Sequence, residues 1–179
     1  PVRPMRKAIS VQNLFPQIIQ YLTIGQYTFP FNTWTAQYSI YANKIGSNTS
    51  NSSIYTLNPT LGIEVNKSSF GDISENDIYT RHFSNPLYGI ASINSNNVTL
   101  TKNQIFKSTG SVSSSYQNLI GGIYISDSKL NLLCNNLMQD FASGLIILNQ
   151  SNSLKTKCNS FTNNRYNGVY LKDANFGNQ

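Results

Sequence analysis

Charge is scarce in this chain: 11% of its 179 residues are charged and only seven are acidic, against roughly a quarter charged in ordinary soluble domains. So few carboxylates leave little from which to build a calcium site. A single histidine, His82, denies zinc its usual ligands. Cys134 and Cys158 are too few for a metal cage or a disulfide-rich scaffold. No metal or other cofactor is therefore expected. No apolar run reaches bilayer length, so no membrane span is expected. The net charge of +6 comes from scattered residues, with only Arg3, Arg6 and Lys7 close together. That pattern lacks a basic stripe with interleaved aromatics, and nucleic acid is not an expected partner. The opening Pro-Val-Arg-Pro-Met-Arg-Lys carries no signal-peptide pattern and reads as the inside of a longer protein or a processed end.

What the chain has is Asn, Ser, Thr and Tyr in place of charge, with 39% apolar and 12% aromatic residues, enough for one folded domain. It also has a repeat. Gly62-Ile-Glu-Val65, Gly89-Ile-Ala-Ser-Ile93, Gly122-Ile-Tyr-Ile125, Gly144-Leu-Ile-Ile147 and Gly168-Val-Tyr-Leu171 form one half of it. The other half is an apolar run, an asparagine and an apolar residue two positions on. It recurs at Ile40…Asn43-Lys-Ile45, Ile73…Asn76-Asp-Ile78, Leu100…Asn103-Gln-Ile105, Leu132…Asn135-Asn-Leu137 and Thr156…Asn159-Ser-Phe161. From glycine to asparagine the distances are 14, 14, 13 and 15 residues (62 to 76, 89 to 103, 122 to 135, 144 to 159).

Within each half the period is two, which means strands, and a unit in the twenties of residues means coils that stack. The spacing fits neither leucine-rich nor helical repeats. The expectation is an all-β, right-handed parallel β-helix with three short strands per coil over residues 34–179. Residues 1–33 are set apart as an irregular segment or cap. Within them Ile18–Ile24 and Tyr27–Phe29 have strand composition, while Ile9–Ile19 is alternatively a short helix interrupted by Pro16. Asn43, Asn76, Asn103, Asn135 and Asn159 are expected to tolerate a left-handed bend and to stack their amides about 4.8 Å apart.

On these motifs the chain resembles right-handed parallel β-helix repeat proteins, the architecture of pectate lyases, other polysaccharide-degrading enzymes and phage tailspikes. The Cys158-Asn-Ser-Phe161…Gly168-Val-Tyr-Leu171 form also resembles large secreted or surface proteins of the Bacteroidota, many exported by a type IX system. In such families chemistry occurs on the outer face of the glycine-initiated strand. Here that face holds Glu64, Ala91, Tyr124, Ile146 and Tyr170, followed by Asn94, Asp127, Asn149 and Asp173.

Asp127 and Asp173 are the candidate catalytic pair, two coils or about 10 Å apart, slightly beyond the inverting-glycosidase range. Tyr124, Tyr170 and Asn149 are candidate sugar-binding residues. Turn chemistry alone also places Asp and Asn at strand ends. Cys134 and Cys158, each next to an expected ladder asparagine, are expected as neighbours in successive coils, stacked and buried as free thiols; the alternative is a disulfide, for which parallel side chains hold the Cβ atoms slightly too far apart. The Asn/Ser-rich stretches 46–60 and 107–121 read as long connections, and Asn48, Asn51, Asn66, Asn97 and Asn149 head Asn-x-Ser/Thr triplets.

The resulting expectation is an extracellular or cell-surface β-helix segment with a structural, adhesive or glycan-binding role and a glycan or surface polysaccharide as partner. A polysaccharide lyase or glycoside hydrolase is the enzymatic alternative, and cargo or a component of a secretion or attachment assembly is a third. The last coil begins at Gly168 and stops after one strand, at Asn175-Phe-Gly-Asn-Gln179. The sequence therefore reads as a fragment of a longer chain, with further repeats or a protein partner at an open C-terminal coil.

Overall fold

The apolar run after each repeat glycine becomes a strand, and these strands stack. In the computed structural model, residues 7–12, 21–24, 27–30, 38–45, 60–68, 70–81, 86–108, 119–129, 131–149, 151 and 153–174 are described. A six-stranded sheet orders β1 (Lys7–Gln12), β6 (Leu61–Asn66), β9 (Leu87–Ile93), β12 (Ile120–Ser126), β15 (Ser143–Leu148) and β18 (Asn167–Lys172). The second sheet stacks β4 (Tyr38–Tyr41), β7 (Gly71–Ser74), β10 (Thr99–Thr101), β13 (Leu132–Cys134) and β16 (Lys155–Lys157). The third stacks β5 (Lys44–Ile45), β8 (Asp77–Arg81), β11 (Gln104–Ser108), β14 (Leu137–Gln139) and β17 (Ser160–Thr162). All pairings in these three sheets are parallel. The chain thus visits the sheets in rotation, three strands to a coil, which is the parallel β-helix expected from the repeat.

Alternation decides what fills the coil. Ile63, Ile90, Ile123 and Leu145 enter from the first sheet, Ile73, Leu100 and Leu133 from the second, and Ile78, Ile105 and Met138 from the third, all at 0% exposure. Each such side chain contributes about 1.5–3 kcal/mol by leaving water. In the coil carrying β16, β17 and β18 the inward positions open up, with Val169 43% and Leu171 48% exposed.

The N-terminal segment departs from its expected separation at 33. Strand β1 pairs with β6 in the first sheet, Ile9 opposite Ile63 and Val11 opposite Val65. Its Ile9/Val11 alternation has the right period, but no repeat glycine opens it. Ile9 to Gln12 are strand, not helix. The strand composition further on is a hairpin, β2 (Tyr21–Ile24) antiparallel to β3 (Tyr27–Pro30), and belongs to no coil. Residues 46–59 and 109–118 of the long connections, including Asn48 and Asn51, lie outside the described residues.

The glycine column is a close-approach requirement. A Cβ built on Gly62, Gly89, Gly122 or Gly144 would lie 2.6, 2.7, 2.8 or 2.9 Å from the carbonyl oxygen of the next glycine in the column. Backbone stacks on backbone there, leaving no room for a side chain.

The asparagine ladder is present, with one member corrected. Asn43 Nδ2 donates to Asn76 Oδ1 (3.0 Å), Asn76 to Asn103 (2.9 Å), Asn103 to Asn136 (2.9 Å) and Asn136 to Asn159 (2.9 Å). Asn136, not Asn135, is the fourth rung. Its distance from Gly122 is then 14 residues, matching 62 to 76 and 89 to 103. The bend itself falls one residue earlier than expected. Ala42, Glu75, Lys102, Asn135 and Cys158 take the left-handed conformation, with φ between 52° and 56°. The ladder asparagine instead receives the backbone N–H of the preceding coil's asparagine, as Asn76 N donates to Asn103 Oδ1 (3.2 Å).

That shift also moves the thiols. Cys134 pairs with Lys157, so Cys158 lies one residue past its partner. Cys134 follows buried Leu133 on the outward side and is half-buried, while Cys158 sits exposed at the left-handed corner. Both are free, but they do not stack inside the coil.

A second ladder, absent from the sequence reading, turns the chain from the first sheet to the second. Ser68 N donates to Ser95 Oγ (3.2 Å), Ser95 N to Ser128 Oγ (3.1 Å) and Ser128 N to Ser151 Oγ (3.3 Å). All four serines are buried. Their hydroxyls donate back to the strand ends, as Ser95 to Ile93 O (2.8 Å) and Ser128 to Ser126 O (2.8 Å). The Asn-x-Ser triplets at Asn66 and Asn149 thus supply ladder serines, which is a structural reason for those patterns.

Candidate functional site

The outer face of the first sheet carries the residues singled out by sequence. Glu64, Ala91, Tyr124, Ile146 and Tyr170 are in register across β6, β9, β12, β15 and β18 and point away from the coil. The row is less open than an outward position implies. Ala91 and Ile146 are fully buried and Glu64 nearly so, while Tyr124 and Tyr170 are half-buried. Together with Tyr88, Ala91 and Ile146 make a second apolar cluster outside the coil, against which Tyr124, Leu148 and Tyr170 pack.

Tyr88 is the member the sequence reading missed. It precedes Gly89 and lies opposite Gly121, so the signal was a glycine that is not a repeat glycine. A Cβ at Gly121 would come within 2.6 Å of Ile146 Cδ1. Its absence lets Ile146 pack down onto the sheet. Tyr88 and Tyr124 stack with centroids 4.2 Å apart and planes 21° from parallel. One face of each ring is therefore covered by the other.

Burial first, and the neighbouring Tyr124 second, push the Tyr88 phenol above its ordinary value. A phenol whose pKa is raised on folding adds stability that is present below the unfolded value, about 10, and lost as pH rises through the folded one. We therefore expect an alkaline titration at the tyrosinate absorbance band to show a late component from the Tyr88 phenol. Tyr88→Phe should remove that late component and the associated alkaline loss of stability. An unchanged titration curve in Tyr88→Phe would contradict the assignment.

The polar edge of the face is a column of left-handed residues: Lys67, Asn94, Asp127, Asn149 and Asp173, with φ between 49° and 54°. Asp and Asn tolerate this conformation better than most side-chain-bearing residues, so the turn accounts for their presence. Beyond that, two of them and the neighbouring Ser126 form a small network. Ser126 Oγ donates to Asp127 Oδ2 (2.6 Å), and Asn149 Nδ2 donates to Ser126 Oγ (3.1 Å) and to Asp127 Oδ2 (3.4 Å). Asp173 follows Lys172, which pairs with Leu148, so Asn149 stands between the two aspartates. The aspartates are not brought into contact; two strand spacings, about 10 Å, separate their positions.

Other outward residues lie apart from this face. Tyr79 and Phe106 stack on the third sheet, centroids 5.0 Å apart. At the corner after the second sheet Tyr41 Oη donates to Glu75 Oε2 (2.9 Å), and Lys102 Nζ lies 3.1 Å from Glu75 Oε1. Among the described residues no three His, Cys, Asp or Glu side chains converge as a metal site.

The architecture finds its counterpart among known families: residues 20–179 match the model of the right-handed β-helix region. The chain belongs to the right-handed β-helix family. No curated protein and no solved structure matches it significantly. Among the described residues of this β-helix no helix is long and apolar enough to cross a membrane.

Proposed function

We propose that this β-helix is displayed outside the cell and binds a glycan or surface polysaccharide along the outer face of its first sheet. The observation that carries the reading is the Ser126–Asp127–Asn149 network at the edge of half-exposed Tyr124 and Tyr170. Sugar hydroxyls need fixed acceptors and donors beside an apolar surface, and side chains already ordered on a rigid sheet lose little entropy on binding. Tyrosine offers both an apolar body and a polar tip.

Binding is favoured over catalysis by the same geometry. One oxygen of Asp127 is committed as an acceptor from Ser126 and Asn149, and Asp173 stands two strands away. A component of an attachment assembly would use this face for protein instead.

Titration of the chain against a panel of neutral and acidic polysaccharides tests the reading. Tyr124→Ala combined with Tyr170→Ala should weaken binding at least tenfold, about 1.4 kcal/mol, with strand content unchanged by circular dichroism. Asp127→Asn with Asp173→Asn should weaken it less. Release of shortened glycan products that disappears in the Asn double variant would establish the hydrolase or lyase alternative. Binding unaffected by the tyrosine substitutions would move the site off this face.

A further inference from the structure

The two thiols, displaced from the coil interior, stand side by side on its surface. Cys134 ends β13 and Cys158 follows β16, and the peptide between them is tied directly: Asn135 N donates to Lys157 O (3.1 Å). Cys134 is in register with Lys157, so Cys158 is one strand across and one residue along. A strand spacing of about 4.8 Å and a rise of about 3.3 Å place the two Cα atoms about 6 Å apart, inside the range a disulfide spans. Cys134 alternates with fully buried Leu133 and is half-buried on the outside, and Cys158 is exposed. Nothing of the core has to move for their sulfurs to meet.

We propose that Cys134 and Cys158 are an oxidation site, closing an intrachain disulfide that staples the β16–β17–β18 coil to the coil before it. The oxidant is a low-molecular-weight disulfide. The thiolate of exposed Cys158 attacks one of its sulfurs, forming a mixed disulfide and releasing one small thiolate. The thiolate of Cys134 then attacks the Cys158 sulfur, closing the protein S–S bond and releasing the second. The two protons lost by the cysteines end on the two small thiols, and the small disulfide is the species reduced.

The placement gives the bond a purpose. In stacked coils stability is approximately a sum of nearest-neighbour interfaces, and the β16–β18 coil is where Thr156, Val169 and Leu171, all at inward positions, are exposed. A covalent link across that interface ties down the coil that also carries Tyr170 and Asp173. The staple stands or falls independently of glycan binding.

The test is to incubate the full chain with oxidised glutathione, then measure its intact mass and digest it with trypsin without reductant. The expected result is loss of two hydrogens, no glutathione adduct, and the peptides Leu130–Lys155 and Cys158–Arg165 recovered joined. The melting temperature should rise on the order of 5 °C and return when reductant is added. Cys134→Ser should instead trap a glutathione adduct on Cys158 with no such rise. Stable adducts on both cysteines of the unsubstituted chain, thiols that remain fully alkylatable, or a disulfide-linked dimer would each overturn the proposal.

Discussion

Gly89→Ala is expected to destabilise the β-helix by about 3 kcal/mol or more, whereas Gly168→Ala, in the same column, should stay within about 0.5 kcal/mol. At Gly89 the added methyl would press on Ile105 Cγ2 and lie 2.7 Å from the Gly122 carbonyl oxygen. The isoleucine can turn. The carbonyl cannot, because it belongs to the stacked backbone of β12, and moving it breaks the β9–β12 pairing. At Gly168 the nearest atom to the same methyl is Phe161 Cγ at 3.6 Å, an ordinary contact. Urea unfolding followed by circular dichroism reads both. Equal losses at the two sites would mean that the glycines serve backbone conformation and not close approach.

Asn103→Ala should cost about 3 kcal/mol or more, with Asn135→Ala near 1 kcal/mol. Asn103 is fully buried and satisfies several groups at once. Its Nδ2 donates to Ile73 O (2.8 Å) and Asn136 Oδ1 (2.9 Å), and its Oδ1 accepts from Asn76 N (3.2 Å) and Asn76 Nδ2 (2.9 Å). Truncation strands the buried backbone N–H of Asn76 and the Ile73 carbonyl. Asn135 is exposed, and alanine there meets only the ordinary penalty of the left-handed conformation, at φ 55°. Asn135→Gly should therefore be neutral or slightly stabilising. Thermal and urea unfolding of the three variants checks this, and a larger loss at Asn135 than at Asn103 would return the ladder to the residue suggested by sequence.

The error at Asn135 has a specific cause. Cys134-Asn135-Asn136 offers two adjacent asparagines, and a reading that gives one residue both the bend and the ladder has no reason to choose the second. The structure divides the work: the left-handed residue is whatever precedes the rung, and it is Ala42, Glu75, Lys102, Asn135 and Cys158 in turn. One residue of slippage was enough to place Cys134 inside, since neighbouring residues on a strand face opposite ways, while Cys158, inward by parity with Thr156, takes the left-handed corner itself. The serine ladder escaped notice for a related reason. Ser68, Ser95 and Ser128 follow Lys, Asn and Asp, and an extra Gln150 precedes Ser151, so no constant pair marks the corner.

The candidate face was legible in part. Alternation from the repeat glycines was enough to place Glu64, Ala91, Tyr124, Ile146 and Tyr170 outward and in one row. It gave no hint that Ala91 and Ile146 would be buried there, because burial on an outer face depends on Tyr88, Gly121 and Tyr124 meeting across strands more than thirty residues apart in register pairs such as Tyr88 with Gly121. Nor did spacing disclose that Asp127 would be held by Ser126 and Asn149.

By itself the sequence determined the parallel β-helix, its three strands per coil and the glycine column, because period-two alternation and a repeated close approach are local properties that recur in every coil. Only the tertiary structure decided which asparagine is the rung, where the thiols stand, how much of the outer face is covered and which polar side chains meet on it. Those outcomes depend on the register between coils, and register is fixed by the packing of one coil on the next rather than by any stretch of the chain alone.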